Sequence, residues 1–394
     1  MAPREGGPPR VVAGLVAAQR ALAIDAQVLC GDEPALAAEH AAYWQAQGIG
    51  FPAGVVHGVG GESLLARRAA LHRWLAAHLA EFDIVHVHQL WRLVPTLAAN
   101  AVRRVGKPYL IAPHTSLSPW ALQQKSGKKA LARWLVWNRI FRGAAGFHAL
   151  NELEAAEIRT LFAAARPAVF VVPNGVALEE FATERLAPVP AAFAGRFSVP
   201  EGAAPFVLFL ARLHTMKGPD LLLEAFAALA REYPQLQLVY AGPDFGMQSR
   251  LQQRAATLGM NARIHFLGLV TGAERLWLLH HALCLCQPSR DEGFSLTILE
   301  ALACERPVVI SDRCKFPQVA TAQAGLIVPT AVAPLTAALS EYLADPARRA
   351  RDGLHGRALV EGCYTWDKVA KLAENMYRTA RTVNSRTAVP GAVG

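Results

Sequence analysis

Short, mainly apolar runs alternate with longer helical stretches through most of this chain. That alternation constrains its fold more than any other feature. In the second half the runs cover 206–211, 236–241, 263–267, 282–287, 307–311 and 325–328, and the helical stretches 220–233, 248–258, 273–280 and 296–303 fall between them. A strand that is apolar on both faces needs cover on both faces, which means a parallel sheet between two helical layers. The first half repeats the pattern, with strands expected over 26–30, 83–88, 109–112, 146–150 and 169–173 and helices over 63–81 and 151–162. At 394 residues the chain has room for two such domains, each with its own core. The join falls within 175–205, where Pro188, Pro190 and Pro200 interrupt any regular element. This reading gives an N-terminal domain over 1–178 and a C-terminal one over 179–365. A last helix over 366–381 is expected to pack back across them, and 382–394 to form a disordered tail. A doubly wound domain usually opens with a strand that delivers its first glycine loop. Here only Met1 to Glu5 precede Gly6-Gly7, so that first strand is expected to be missing or to lie upstream of residue 1.

Composition narrows the class. The chain is 53% hydrophobic and 18% charged, as a globular protein is. Its six cysteines form no C-x-x-C pair, and Cys284 and Cys286 sit two apart in an apolar run, as buried small hydrophobes would. A reducing, cytoplasmic setting is expected. The run Val11 to Ala18 behind Arg4 and Arg10 has some features of a secretion signal, but it reads better as an amphipathic helix behind the glycine loop. No apolar stretch reaches the length needed to span a bilayer.

The net charge of +9 is unevenly placed. Positions 84–151 hold no Asp or Glu, while Arg92, Arg103, Arg104, Lys107, Lys125, Lys128, Lys129, Arg133, Arg139 and Arg142 all fall there. Within it, 120–142 interleaves cations with Trp134, Trp137 and Phe141, which fits peripheral contact with the anionic inner face of a membrane as well as a solvated face over a buried stripe. No nucleic-acid-binding motif accompanies the charge, so nucleic acid is not expected as a partner.

Two strings carry the chemistry. Ser289-Arg290-Asp291-Glu292-Gly293-Phe294-Ser295-Leu296-Thr297-Ile298-Leu299-Glu300 runs from a strand into a helix. Ser295 is the expected N-cap, which leaves the first-turn amides as an anion site, and Gly293 permits a turn that a side chain would hinder. Glu292 and Glu300 are acceptors suited to paired sugar or ribose hydroxyls. In Ala211-Arg212-Leu213-His214-Thr215-Met216-Lys217-Gly218-Pro219, Arg212 offers a planar fork and Lys217 a mobile point charge, a pairing matched to a diphosphate.

These strings resemble the GT-B glycosyltransferases, specifically the large retaining group called family 4 or glycosyl transferases group 1. Seven residues separate Glu292 from Glu300, as in that family's E-x7-E element. The resemblance implies an α/β GT-B fold, two doubly wound Rossmann-like domains facing across a cleft. It implies that Glu292 contacts the transferring sugar and Glu300 the ribose, and that Arg212 and Lys217 neutralise the donor diphosphate. Gly6-Gly7-Pro8 is similar to the family's glycine loop near the donor phosphate. Pro113-His114-Thr115 is similar to its P-H-G segment, with Thr115 in place of Gly, so that His114 would reach the donor sugar. Pro173-Asn174-Gly175-Val176 is similar to its P-N-G-V turn, although Asn-Gly is equally a common turn dipeptide.

The expected activity is transfer of a sugar from a UDP- or GDP-sugar donor to a glycan or lipid-linked acceptor in bacterial polysaccharide or lipopolysaccharide assembly. Retention follows from the resemblance alone. No cofactor and no divalent metal are expected, because the chain has no Asp-x-Asp and the strand pair His86 and His88 lacks a third ligand at suitable spacing. The alternatives are a non-catalytic nucleotide-sugar-binding protein and a nucleotide-sugar epimerase of the same architecture.

Overall fold

The computed structural model describes residues 7–46, 49, 54–124, 127, 129, 132, 136–183 and 205–387. The chain divides into two compact units, Met1–Gly175 with Trp366–Gly394, and Val176–Thr365. The strands are β1 (Val28–Cys30), β2 (Val56–Gly58), β3 (Val85–His88), β4 (Tyr109–Ala112), β5 (Gly146–Ala149), β6 (Val169–Val171), β7 (Phe206–Leu210), β8 (Gln237–Ala241), β9 (Ile264–Gly268), β10 (Cys284–Gln287), β11 (Val308–Ser311) and β12 (Gly325–Val328). Every strand pairing is parallel.

The second unit is one six-stranded sheet in the order β12-β11-β10-β7-β8-β9. Its centre shows why both faces had to be apolar. Successive side chains of β7 point to opposite faces. Val207 and Phe209 join Leu222, Phe226, Leu335 and Leu339 in one core. On the same strand Phe206 stacks on Trp277 of the Gly272–His281 helix, ring centroids 6.2 Å apart. Removing a phenyl ring of this kind from water contributes about 1.5–3 kcal/mol. Cys284 and Cys286 are free thiols buried in the first of these cores.

The first unit differs from a single continuous sheet. Its described strands form a four-stranded sheet, β3-β4-β5-β6, and a separate pair, β1-β2. A doubly wound order would set an opening strand between β1 and β3, and none exists among the described residues. The two pieces still share a core, since Leu29 of β1 packs against the cluster holding Val87, Ile111 and Phe147. β2 was not legible beforehand: it is three half-buried residues without alternation, held by its pairing with β1.

The run Val11 to Ala18 lies in the Gly7–Ala21 helix, largely buried. The last helix runs Trp366–Thr387, six residues beyond the expected end, so 382–387 is helical and not tail. Nothing stops it earlier, because the first proline after Trp366 is Pro390. This helix packs on the Gly7–Ala21 helix through Val369, Ala373, Met376 and Leu15. Its Trp366 indole fills the space beside two glycines: a Cβ at Gly14 would lie 2.3 Å from it and one at Gly175 2.7 Å. Gly175 of the Pro-Asn-Gly-Val turn is therefore required by the close approach of an aromatic ring. The proline-rich join around Pro188, Pro190 and Pro200 lies outside the described residues. The unit boundary falls between Gly175 and Val176.

Candidate active site

In the second unit two loops at the carboxyl ends of β7 and β10 are stitched together. After β7 the chain makes a short turn, Thr215–Lys217, then turns at Gly218 with φ of 69° before Pro219 opens the next helix. Only glycine suits Gly218: besides the left-handed backbone, a Cβ there would lie 2.1 Å from the Pro288 carbonyl oxygen. Arg290 holds the other side. Its N–H donates to the Met216 carbonyl at 2.7 Å. Its guanidinium donates to the Thr215 carbonyl at 2.7 Å and grips both oxygens of Asp220 at 2.9 and 2.7 Å.

This stitching sets the Lys217 ammonium against the Glu292 carboxylate as an ion pair, both side chains mostly buried. Gln287, the last residue of β10, donates to Glu292 Oε2 at 2.8 Å and accepts from the Ser295 hydroxyl at 2.9 Å. Ser295 occupies the N-cap of the Leu296–Ala303 helix, but its hydroxyl is spent on Gln287 and makes no cap bond. The start of this helix therefore has no side-chain cap from Ser295. Arg212 lies over the Phe245 ring, 5.1 Å from its centroid. Between the two cations His214 accepts from the Met216 N–H at 3.1 Å, and burial, with Arg212 and Lys217 nearby, lowers its pKa.

Glu300 is only 2% exposed and pairs with Arg275 from the Gly272–His281 helix. Burial alone would lower the Arg275 pKa, but the Glu300 carboxylate raises it above its ordinary value. The Phe181 ring covers the guanidinium at 5.8 Å. Asp291 and Lys315 form a second buried pair at 3.3 Å.

One sequence expectation changes here. Gly293 is not among the glycines of positive φ; the left-handed glycine of this site is Gly218. The Phe294 side chain is buried against Phe316 and Tyr364, with ring centroids 4.7 and 5.5 Å away. Leu296 is the first residue of the helix and half-buried.

In the first unit His114 follows β4, and both it and Thr115 hold left-handed backbone, φ of 48° and 66°. A β-branched residue there is strained. Glu154, buried in the Glu152–Leu161 helix, sustains the conformation: its two oxygens accept from the Thr115 N–H at 2.8 Å and the Leu150 N–H at 2.7 Å.

His114 belongs to a group of four histidines. His148 Nε2 meets the Val172 carbonyl at 2.7 Å, and a carbonyl only accepts, so the ring carries its proton there. In the neutral ring Nδ1 then accepts from His86 Nε2–H at 3.2 Å. His86 Nδ1 in turn accepts from the Tyr377 hydroxyl at 3.0 Å, whose oxygen accepts from Gln19 at 2.8 Å. With both rings neutral, this arrangement of protons satisfies the whole chain. Burial and mutual repulsion push His86 and His88 well below their ordinary values, and burial takes His148 to about 4 and, with repulsion from His148, His114 to about 3. Among the described residues no His, Cys, Asp or Glu group is arranged to hold a metal ion.

Gly7 opens a helix instead of lying in a loop, and a Cβ there would meet nothing within 4 Å. Gly6 lies outside the described residues. Asn174 is buried after β6. Of the basic block, Lys125, Lys128, Arg133 and Trp134 lie outside the described residues. Lys107 is spent on the Leu79 and Ala80 carbonyls at 2.8 and 3.1 Å, and Trp137 and Phe141 are core residues. No helix among the described residues is long and apolar enough to cross a membrane.

Sequence reasoning gave no role at the site to Gly218, Arg275, Gln287, Arg290 or Glu154, and weighed His88 only as a metal ligand. The only advance signal was Gly-Pro at 218–219, which marks a turn but not its neighbour.

The chain matches two family models, Glycosyl transferase 4-like domain over residues 6–175 and Glycosyl transferases group 1 over residues 196–357. It is 31% identical over 356 residues to a D-inositol 3-phosphate glycosyltransferase of Streptomyces avermitilis, covering 85% of this chain and 74% of that protein. Among solved structures it resembles Anabaena Alr3699/HepE in complex with UDP and glucose, with a TM-score of 0.73 and 18% identity over 96% of this chain and 98% of the other. It also resembles WaaG, a glycosyltransferase involved in lipopolysaccharide biosynthesis, with a TM-score of 0.64 and 16% identity over 94% and 95%. With GT-B neighbours, two Rossmann-like units and the Lys217–Glu292 loops in place, the chain belongs to the group 1 glycosyltransferases.

Proposed function

We propose that the protein is a retaining glycosyltransferase that moves a sugar from a UDP- or GDP-sugar to a glycan or lipid-linked acceptor, in polysaccharide or lipopolysaccharide assembly. The carrying observation is the Lys217–Glu292 pair beside the uncapped start of the Leu296–Ala303 helix. As the glycosidic bond breaks, negative charge grows on the departing diphosphate and positive charge on the sugar. Arg212, Lys217 and the helix amides meet the first charge in a preorganised, partly dry setting. Glu292 meets the sugar, Glu300 the ribose, and His114 a sugar hydroxyl, with Gly6, Gly7 and Asn174 near the donor. Gly293, Phe294, Ser295 and Leu296 form the loop that holds it. No divalent ion is needed in this reading, since fixed cations do that work. Cytoplasmic action at the anionic inner membrane face, through the remaining arginines of the basic block, suits a lipid-linked acceptor.

The UDP complexes of the Anabaena protein favour a uridine donor. The name of the Streptomyces relative favours a second reading of the acceptor, a phosphorylated polyol. The test is a panel of UDP- and GDP-sugars with lipid-linked glycans and D-inositol 3-phosphate as acceptors, after exhaustive chelation, read by product mass and anomeric configuration. Transfer with retained configuration is expected. Inverted product, isomerised donor without a new bond, or activity that returns only with magnesium or manganese would each defeat the corresponding part.

A further inference from the structure

The four clustered histidines of the first unit are not all accounted for by the hydrogen-bonded chain from Gln19 to Val172. His88 stands outside it. Its ring lies 4.1 Å from that of His86, centroid to centroid, yet its polar contact runs the other way, from Nδ1 to His114 Nε2 at 2.9 Å. The contact is set by register. His88 is the last residue of β3 and pairs with Ala112 of β4, two residues before His114. The left-handed turn at His114 and Thr115, held by Glu154, brings the His114 ring back over His88.

A bond between two imidazole nitrogens needs one proton, so the pair has two neutral arrangements. Neutral imidazole side chains ordinarily prefer the proton on Nε2. If His114 donates Nε2–H to His88 Nδ1, both rings keep that preferred form. His114 Nδ1 is then left with a lone pair, an acceptor for a hydroxyl proton. The groups facing the pair reinforce neutrality. His86 and His148 are themselves held neutral, the hydroxyl of Tyr377 is spent on His86, and the carboxylate of Glu154 is spent on two main-chain N–H groups.

We propose that His88 is a positioning residue: it holds His114 in the Nε2–H tautomer, so that His114 Nδ1 accepts a hydrogen bond from a hydroxyl of the transferred sugar. This rests on the reading of His114 as a sugar-contacting residue.

The test has two arms that fail separately. The first uses the free protein with 15N-labelled histidine, comparing the His114 ring in wild type, His88→Ala and His88→Asn. Wild type should show an unprotonated Nδ1, the alanine variant a mixture of tautomers, and the asparagine variant a return to one form, since its side-chain oxygen can accept from Nε2–H. The second arm measures turnover with whichever sugar nucleotide the donor panel shows to be used fastest. His88→Ala should lower kcat about tenfold or more, with UDP affinity and thermal midpoint little changed, and His88→Asn should restore most of it. Because both residues act through one ring, His88→Ala combined with His114→Ala should be no slower than His114→Ala alone. Unchanged His114 signals in His88→Ala, or losses that simply multiply in the double variant, would overturn the positioning role and leave the reading of His114 standing. Wild-type turnover in His114→Ala would overturn that reading, and the role of His88 with it.

Discussion

Lys217 and Glu292 are 75 positions apart in sequence, yet their side chains form an ion pair at the ends of two neighbouring strands. In the proposed reading both meet the donor where its diphosphate departs, so their mutual contact would loosen as Lys217 pairs with a phosphate.

Removing either partner should slow turnover, but not independently. Lys217→Ala and Glu292→Ala are each expected to cost about 10²–10³ in kcat, the range seen when one electrostatic stabiliser is lost. The double variant should fall short of the product of the two losses, because the residues share one network. Steady-state kinetics on the four proteins decides it, and fully multiplicative losses would mean the pair does not act as a unit.

Arg275 and Glu300 separate stability from binding. Arg275→Ala leaves a carboxylate buried without its cation, and breaking a buried pair from one side costs about 3–5 kcal/mol. Adding Glu300→Gln should recover much of that loss, since the remaining group is neutral. Glu300→Ala should in addition weaken nucleotide binding by about 1.5–3 kcal/mol, the worth of a charged acceptor. Denaturant titration and UDP binding read these two effects; a lone Arg275→Ala as stable as wild type would show that the pair carries no weight.

Thr115 holds a backbone conformation that glycine takes without strain. Thr115→Gly should be neutral or stabilising by up to about 1 kcal/mol, against the usual penalty for adding glycine. Glu154→Ala should destabilise by about 1–3 kcal/mol by leaving the N–H groups of Thr115 and Leu150 without their acceptor. A destabilised Thr115→Gly in thermal denaturation would mean the left-handed turn is not strained.

The histidine chain predicts an acid limit. His148 holds a pKa of about 4 in the folded protein through burial, and His114 about 3, against about 6.5 in an unfolded chain. The unfolded chain therefore takes up protons first as pH falls, so this contribution is complete above about pH 6.5 and is lost progressively toward about pH 4. His148→Gln keeps an N–H for the Val172 carbonyl but cannot titrate. Its thermal midpoint should fall less than that of wild type between pH 7 and 4.5, and parallel curves would remove His148 from the acid response.

The sequence by itself determined the class of fold and the motifs of the second unit. An apolar run such as Phe206–Leu210 can be buried on both faces only in a parallel sheet, and the chemistry of Glu292, Glu300, Arg212 and Lys217 is a property of residue type and local spacing. What only the tertiary structure decided is which of these groups meet. Gly218 brings Lys217 to Glu292 because a carbonyl 70 residues away leaves no room for a Cβ. Glu300 draws Arg275 from another helix, Gln287 joins Glu292 to Ser295, and Glu154 sustains a turn that Thr115 alone would avoid. The proton positions of His86 and His148 depend on a tyrosine and a carbonyl in distant segments. A side chain's partners are set by packing between strands far apart in the chain, and local periodicity holds no record of that register.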